Sequence, residues 1–513
     1  MRLARILALA LLAALFVYPL ARLLALPLLQ GSDVGPCLPA LANSAFFALL
    51  VGCIAAPLGA ILAQALETLD GAVLRLLGLG LWLLFLTPGY VLTTGWLVIM
   101  SHPAIRDGLF GQVFLGPTGL VFLYLMKSLP FAVFVARATF AAAGAQLGEA
   151  ALVLGLTRWR RWLLRLRLAL PAMAAAFTIA AIETMQEFGI PATLGLTAKI
   201  PILTYAIYQR LNTTPTDFAG AAALCWWLIG SAAVLALLQA AVQRRHQAAL
   251  VHGRARQAMR AKPAALARMS LAGVASLLWG LGLGAPLLAL IIVALGGPMD
   301  ADGLDAVPRS LFYGMLAATL ALGTGAFVLK LQQGRSLWFT GAVQGLLAAN
   351  MAVPGLILGA GYVIAFNNDL LPLYGTVLLL IIAYAAGALP IAIRLLGTAL
   401  GQLDAKLDEA ARIFALPRVT RLIDIEAALL ARPGLQAWLL VVAAVMFELP
   451  ISELLYVPGA MPLGVAIVSA DMMASYAVAA RLALLGLATL AGLALLLNGA
   501  LRLSAAPRPR QVS

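Results

Sequence analysis

The stretch "TPGYVLTTGWLVIM" at residues 87–100 returns as "VPGLILGAGYVIAF" at residues 353–366. Pro88, Gly89 and Gly95 meet Pro354, Gly355 and Gly361 at a constant offset of 266. Further along, "LPFAVFVARATF" (129–140) is answered by "LPIAIRLLGTAL" (389–400), and Pro130 meets Pro390 at an offset of 260. The six-residue difference falls in the loop between the two blocks, where insertions are tolerated. In so apolar a chain, agreement of Leu and Ala arises easily by chance. Agreement of Pro and Gly in the same order does not, so the chain is an internal duplication.

Composition sets the solvent. Of the 513 residues, 63% are hydrophobic and 11% charged, and the mean hydropathy is +1.01. Soluble domains are about 45–50% apolar and about a quarter charged. Only helices or closed barrels satisfy their backbone in lipid. Here apolar runs are unbroken over about 20 residues, the length of a helix that crosses the hydrocarbon. The expectation is an all-α membrane protein with about 12 transmembrane helices. They fall near 4–29, 41–66, 78–101, 117–139, 171–190, 218–242, 270–295, 309–331, 340–366, 371–397, 433–457 and 477–501. Six spans precede and six follow a basic linker at 244–268, so 1–243 and 269–513 are two parallel six-helix repeats.

A net charge of +14 raises the question of nucleic acid. The distribution argues against it, because the basic residues sit in alternate loops, as the positive-inside rule requires. Arg2 and Arg5, Arg75, the run Arg158–Arg167, the linker, Lys330, and Arg394 through Arg432 fall on one side. The opposite loops are sparse or acidic, as in "GGPMDADGLDAVP" (296–308). Both termini are therefore expected in the cytoplasm, with the first apolar run retained as a helix. Cys37, Cys53 and Cys225 form no CxxC pair, and His102, His246 and His252 are scattered, so no metal site is expected.

Two cytoplasmic loops are long, at 140–170 and 398–432. The first holds "GEAALVLGL" (148–156) followed by "TRWRRWLLRLR" (157–167), and the second holds "DEAARIFAL" (408–416). Ala150, Ala151, Leu154 and Leu156 can give one helix a small apolar face. Gly155 can end that helix at positive φ. A second, arginine-rich stretch then leads to Pro171, expected as the first residue of span five. One such loop could be an amphipathic helix lying on anionic lipid. Two copies at matching places favour docking to a two-fold partner.

These residues carry a resemblance. "EAALVLGLTRWRRWLLRLRLALP" (149–171) resembles the EAA loop of bacterial binding-protein-dependent ABC importer permeases, matching at Glu149, Ala150, Ala151, Gly155, Leu168, Leu170 and Pro171. The second copy matches at Glu409, Ala410, Ala411 and Leu430. It departs at Ala415, in place of the glycine, and at Ala431, in place of the proline. "IETMQEFGIPATLG" (182–195) and "MFELPISELLYVPGAMPLGVAIV" (446–468) resemble segments of the fused ferric-iron and thiamine importer permeases. The resemblance implies a type I importer fold in the bacterial inner membrane, with the EAA residues docking a cytoplasmic ABC ATPase dimer. It implies a periplasmic or lipoprotein solute-binding protein as second partner. It implies a substrate in the order ferric iron, thiamine, then phosphonate or another small solute. No GxxxxGK[ST] occurs in the chain, so ATP and Mg²⁺ belong to the partner ATPase, and neither cofactor nor catalytic residue is expected here. The alternative of another class is a secondary transporter of the MFS type. It requires a Gly-x-x-x-Asp-Arg loop after span two, where the chain reads "LETLDGAVLRLL" (66–77).

Charges inside the membrane are costly, at about 2.5–3.5 kcal/mol at a helix centre. Glu183 and Glu187 share one face of span five at i, i+4 spacing, and Glu448 and Glu453 lie at the matching end of span eleven. They are candidates for an acidic lining near the outward mouth of a pathway, for helix–helix hydrogen bonding, or for contact with the binding protein. Lys127 in span four is a candidate partner for one of the acids. Pro88–Gly89 and Pro354–Gly355 interrupt spans three and nine at equivalent places, as pathway-lining breaks, hinges or ordinary kinks.

Overall fold

The computed structural model describes residues 2–31, 33, 35–143, 154–155, 157–247, 264–296, 303–333, 336–369, 371–401, 417, 420 and 428–504. The protein is a multi-pass helical membrane protein. Ten helices are long and apolar enough to span: Arg2–Gln30, Leu38–Glu67, Pro117–Phe140, Ala169–Gln186, Phe218–Ala241, Ala265–Gly296, Ala306–Gln332, Val377–Gly401, Leu429–Met446 and Tyr476–Leu497. Two bent pairs bring the number to twelve.

The bent pairs fall at the interruptions read in the sequence at Pro88–Gly89 and Pro354–Gly355, within 78–101 and 340–366. Ala72–Leu86 meets Gly89–Met100 at 98°, and Leu337–Met351 meets Gly355–Phe366 at 104°. The cause lies in the residue before each proline, which proline pushes out of the helical region. Thr87 (ψ 126°) and Val353 (ψ 119°) are both extended, directly before Pro88 and Pro354.

Pro171 departs from expectation in the other direction. It lies inside one helix, Arg158–Gln186, so the arginine-rich stretch and span five are continuous. That helix begins instead at Thr157, whose hydroxyl accepts from the Arg160 N–H at 3.4 Å. Pro433 is likewise internal, in Ala428–Met446. Spans five and eleven then end earlier than 190 and 457, in breaks at Glu187 and Phe447.

The chain divides into two compact units whose boundaries differ from 1–243 and 269–513. One comprises Met1–Ala25, Met299–Ala470 and Arg481–Ser513, and the other Leu26–Pro298 and Asp471–Ala480. The first helix of each sequence repeat thus packs within the unit built from the other repeat. Close contacts explain it. A Cβ on Gly95 would lie 2.7 Å from the Pro286 carbonyl oxygen, and one on Gly361 would lie 2.9 Å from the Pro19 carbonyl oxygen. Only glycine lets two helices approach this closely. Tyr362 adds a hydrogen bond from its hydroxyl to the Leu15 carbonyl at 3.0 Å in one unit. In the other, Trp279 Nε1 donates to the Leu76 carbonyl at 2.9 Å. Both exchanged helices also widen to π-helix just before the proline, at Ala13–Val17 and Leu278–Gly284, because proline cannot supply the next helical N–H. The run "GLGLGAP" (280–286) is part of this packing device.

Candidate functional site

The breaks in the two repeats are built alike, and they gather most of the membrane acids singled out above. In the first repeat, span five stops at Glu187, where ψ turns to 129°. The Glu187 carboxylate then accepts the N–H of Gly189 at 3.1 Å and of Ile190 at 3.4 Å, at the start of the short π-helix Pro191–Gly195. A carboxylate there satisfies amides that have no helical partner and complements the positive helix end. The same oxygen faces the break of span three. A Cβ on Gly89 would lie 2.7 Å from it, so glycine is required for the carboxylate to approach the Pro88–Gly89 corner.

The second repeat repeats the device. Glu448 accepts from the N–H of Ile451 at 2.7 Å and of Ser452 at 2.9 Å, capping the helix Pro450–Leu455. A Cβ on Gly355 would lie 3.4 Å from its oxygen. Which amides are used follows from the prolines. Pro450 has no N–H and Ile451 and Ser452 supply the donors; Pro191 has none and Gly189 and Ile190 supply them.

Around these caps the two sites differ. Lys127 donates through Nζ to the carbonyls of Thr87 at 2.9 Å and Phe85 at 3.2 Å. It therefore caps the orphaned C-terminal carbonyls of Ala72–Leu86, where a cation is favoured by the helix dipole. Glu187 and Glu183 interact with it electrostatically, without a direct ion pair. The expectation of an acid as its hydrogen-bonding partner is corrected, because the carbonyls left open by Pro88 lie within reach. At the equivalent place the second repeat has Gly387, where a Cβ would lie 3.3 Å from Ile451 Cδ1. Polar contacts fill the space differently there. Ser452 Oγ donates to Glu448, and the Tyr384 hydroxyl lies 2.6 Å from Ser452 Oγ. Glu453 sits in the same short helix, close enough to Tyr456 to interact electrostatically.

A further repeated contact escaped the sequence reading. Ser44 Oγ accepts the Leu203 N–H at 2.9 Å, and Ser310 Oγ accepts the Leu463 N–H at 2.6 Å. These bonds fix the first residues of Leu203–Asn212 and Leu463–Met472. The two serines keep the offset of 266 shown by the prolines, which was the available signal.

Of the loop residues, Glu149, Ala150, Ala151, Glu409, Ala410, Ala411 and Ala415 lie outside the described residues. Gly155 is described and holds φ +64°, the left-handed conformation that glycine adopts without strain. Among the described residues no group of three or more His, Cys, Asp or Glu side chains is placed to hold a metal ion.

Comparison with known proteins adds the following. Residues 48–247 match the family described as "Binding-protein-dependent transport system inner membrane component". The chain is 27% identical over 260 residues to the "Putative ferric transport system permease protein FbpB 1" of Haemophilus influenzae, covering 47% of this chain and 40% of that protein. It is 26% identical over 332 residues to the "Probable ABC transporter permease protein y4fN" of Sinorhizobium fredii, covering 60% and 58%. It is 31% identical over 102 residues to the "Ferric transport system permease protein FbpB" of Actinobacillus pleuropneumoniae, covering 20% and 15%. The matches thus span less than two thirds of each relative's length. No solved structure matches the chain.

Proposed function

We propose, from the match of residues 48–247 to the family of inner-membrane components of binding-protein-dependent transport systems, that the whole chain is the permease of an ABC importer, both halves in one polypeptide. The observation that carries this beyond residue 247 is the duplicated break. Pro354–Gly355 with Glu448 reproduces Pro88–Gly89 with Glu187 down to the capped amides. A second half built on the same plan supplies the second docking loop.

In this reading the chain catalyses nothing. Its loops at 140–170 and 398–432 each dock one subunit of a cytoplasmic ATPase through Glu149, Ala150 and Ala151 and through Glu409, Ala410 and Ala411. A solute-binding protein delivers substrate to the opposite face of the bacterial inner membrane, and both termini are cytoplasmic. The broken spans act as the parts that move. Each already lacks a continuous backbone ladder at its corner, so rotation of one limb there breaks no helical hydrogen bond.

The substrate proposed is ferric iron. It is supported by the names of two relatives. The test is uptake of radiolabelled ferric iron and, in parallel, thiamine by cells that lack their own importers and express the chain with its ATPase and binding protein. ATP-dependent accumulation of iron alone is expected. Accumulation of thiamine without iron would move the substrate while keeping the importer.

A further inference from the structure

One place in the fold is solid in the first repeat and hollow in the second. In the first, Trp82 and Phe134 lie with ring centroids 4.6 Å apart, and Phe85 closes on Phe134 at 5.7 Å. The equivalent positions, by the offsets of 266 and 260, are Ala348, Arg394 and Met351. Three aromatic rings are replaced by a methyl group, a guanidinium and a thioether. A cavity of about 310 Å³ results, lined among others by Gln344, Leu347, Met351, Ile393, Arg394 and Thr398. It lies within one compact unit.

Arg394 is the unusual member. It belongs to the span Val377–Gly401, seven residues from its end. Among the described residues its guanidinium has no hydrogen-bond or ion-pair partner; only its backbone carbonyl is engaged, by Thr398. The nearest arginine of the first repeat, Arg137, sits one turn further along its helix and is paired with Glu67 at 2.7 Å. Arg394 is exposed near the end of its span, on the side of the basic loops, where an exposed cation beside apolar helix surface is met by an anion. Gln344 adds hydrogen-bond donors at the same mouth, while Leu347, Met351 and Ile393 make the remainder apolar.

We propose that this cavity binds an anionic phospholipid of the leaflet that the arginine-rich loops face. Its phosphate is held by Arg394 with Gln344, and the start of an acyl chain lies against Leu347, Met351 and Ile393. The apolar wall decides for lipid over a free anion. A hydrated ion would lose water against these side chains with no return, whereas a lipid brings its own apolar surface. The first repeat needs no such ligand, because its aromatic rings fill the space.

The experiment is thermal unfolding of the purified full-length protein in neutral detergent. It is titrated with phosphatidylglycerol, with phosphatidylcholine or with inorganic phosphate. Phosphatidylglycerol is expected to raise the unfolding temperature, and the other two are not. Arg394→Gln should weaken the half-saturating lipid concentration roughly fivefold, the effect of one basic side chain at a membrane surface. Ala348→Trp, which restores the first-repeat residue and keeps the arginine, should abolish the shift by filling the cavity. It also serves where Arg394→Gln folds poorly. An equal phosphatidylglycerol shift in wild type and Ala348→Trp would overturn the proposal. So would a shift produced by inorganic phosphate alone, which would make this an ion site.

Discussion

The two breaks share a backbone plan and differ in how charge is balanced within it. At the first, Lys127, Glu183 and Glu187 form a mixed-charge group, and the lysine bonds carbonyls left open by Pro88. At the second, Gly387 and Ala444 stand in place of Lys127 and Glu183, and one carboxylate is held by two amides and a hydroxyl. The first corner is therefore tied by a lysine to the carbonyls that the break opens, and the second by short hydrogen bonds around one carboxylate and by the Tyr384 hydroxyl. The general lesson is that a duplicated fold conserves the broken backbone and leaves each copy free to satisfy it differently.

The largest effect is expected at the second break. Glu448→Ala removes the acceptor for the buried Ile451 and Ser452 amides, while the Ser452 hydroxyl keeps the Glu448 backbone carbonyl at 2.6 Å, and each buried amide left unsatisfied costs about 1–3 kcal/mol. The unfolding temperature in detergent should fall further for Glu448→Ala than for Glu187→Ala, whose two bonds are longer. Equal losses would show that the second cap is no stronger than the first. Next come the glycine contacts. Gly95→Ala drives a methyl group to 2.6–2.8 Å from Pro286 atoms, and Gly361→Ala to 2.9–3.2 Å from Pro19. Both should destabilise by about 1–3 kcal/mol, as overpacking does, with Gly95→Ala the worse. A neutral Gly95→Ala would show that the exchanged helix is not held there. The smallest of the three is Lys127→Met, which should lower stability and be partly rescued by Glu183→Gln. A double-mutant cycle should give a coupling of about 0.5–3 kcal/mol. No coupling would mean that the lysine serves the carbonyls alone.

Much of this was legible in the residues. The duplication, the helical class and the number of spans followed from the spacing of Pro and Gly and from the length of the apolar runs. The corners at Pro88 and Pro354 were visible as interruptions, but their angles were not, because the bend depends on what packs beside it. Pro171 misled, since a proline at a helix start and one inside a long helix read alike in sequence. The exchange of first helices could not be seen either. It rests on contacts such as Gly95 with Pro286, between residues far apart in the chain. Lys127 was recognisable as a charge in an apolar span. Its carbonyl partners were not, because they become available only once span three has broken.

The most direct test of the importer reading is capture of the ATPase by the purified full-length chain. Wild type should retain two ATPase subunits per chain. Glu149→Arg and Glu409→Arg should each weaken capture, and together they should abolish it while leaving the unfolding temperature unchanged. Full retention by the double variant would contradict docking through these two loops, and with it the central claim that the duplicated chain serves as the membrane half of an ATP-driven importer.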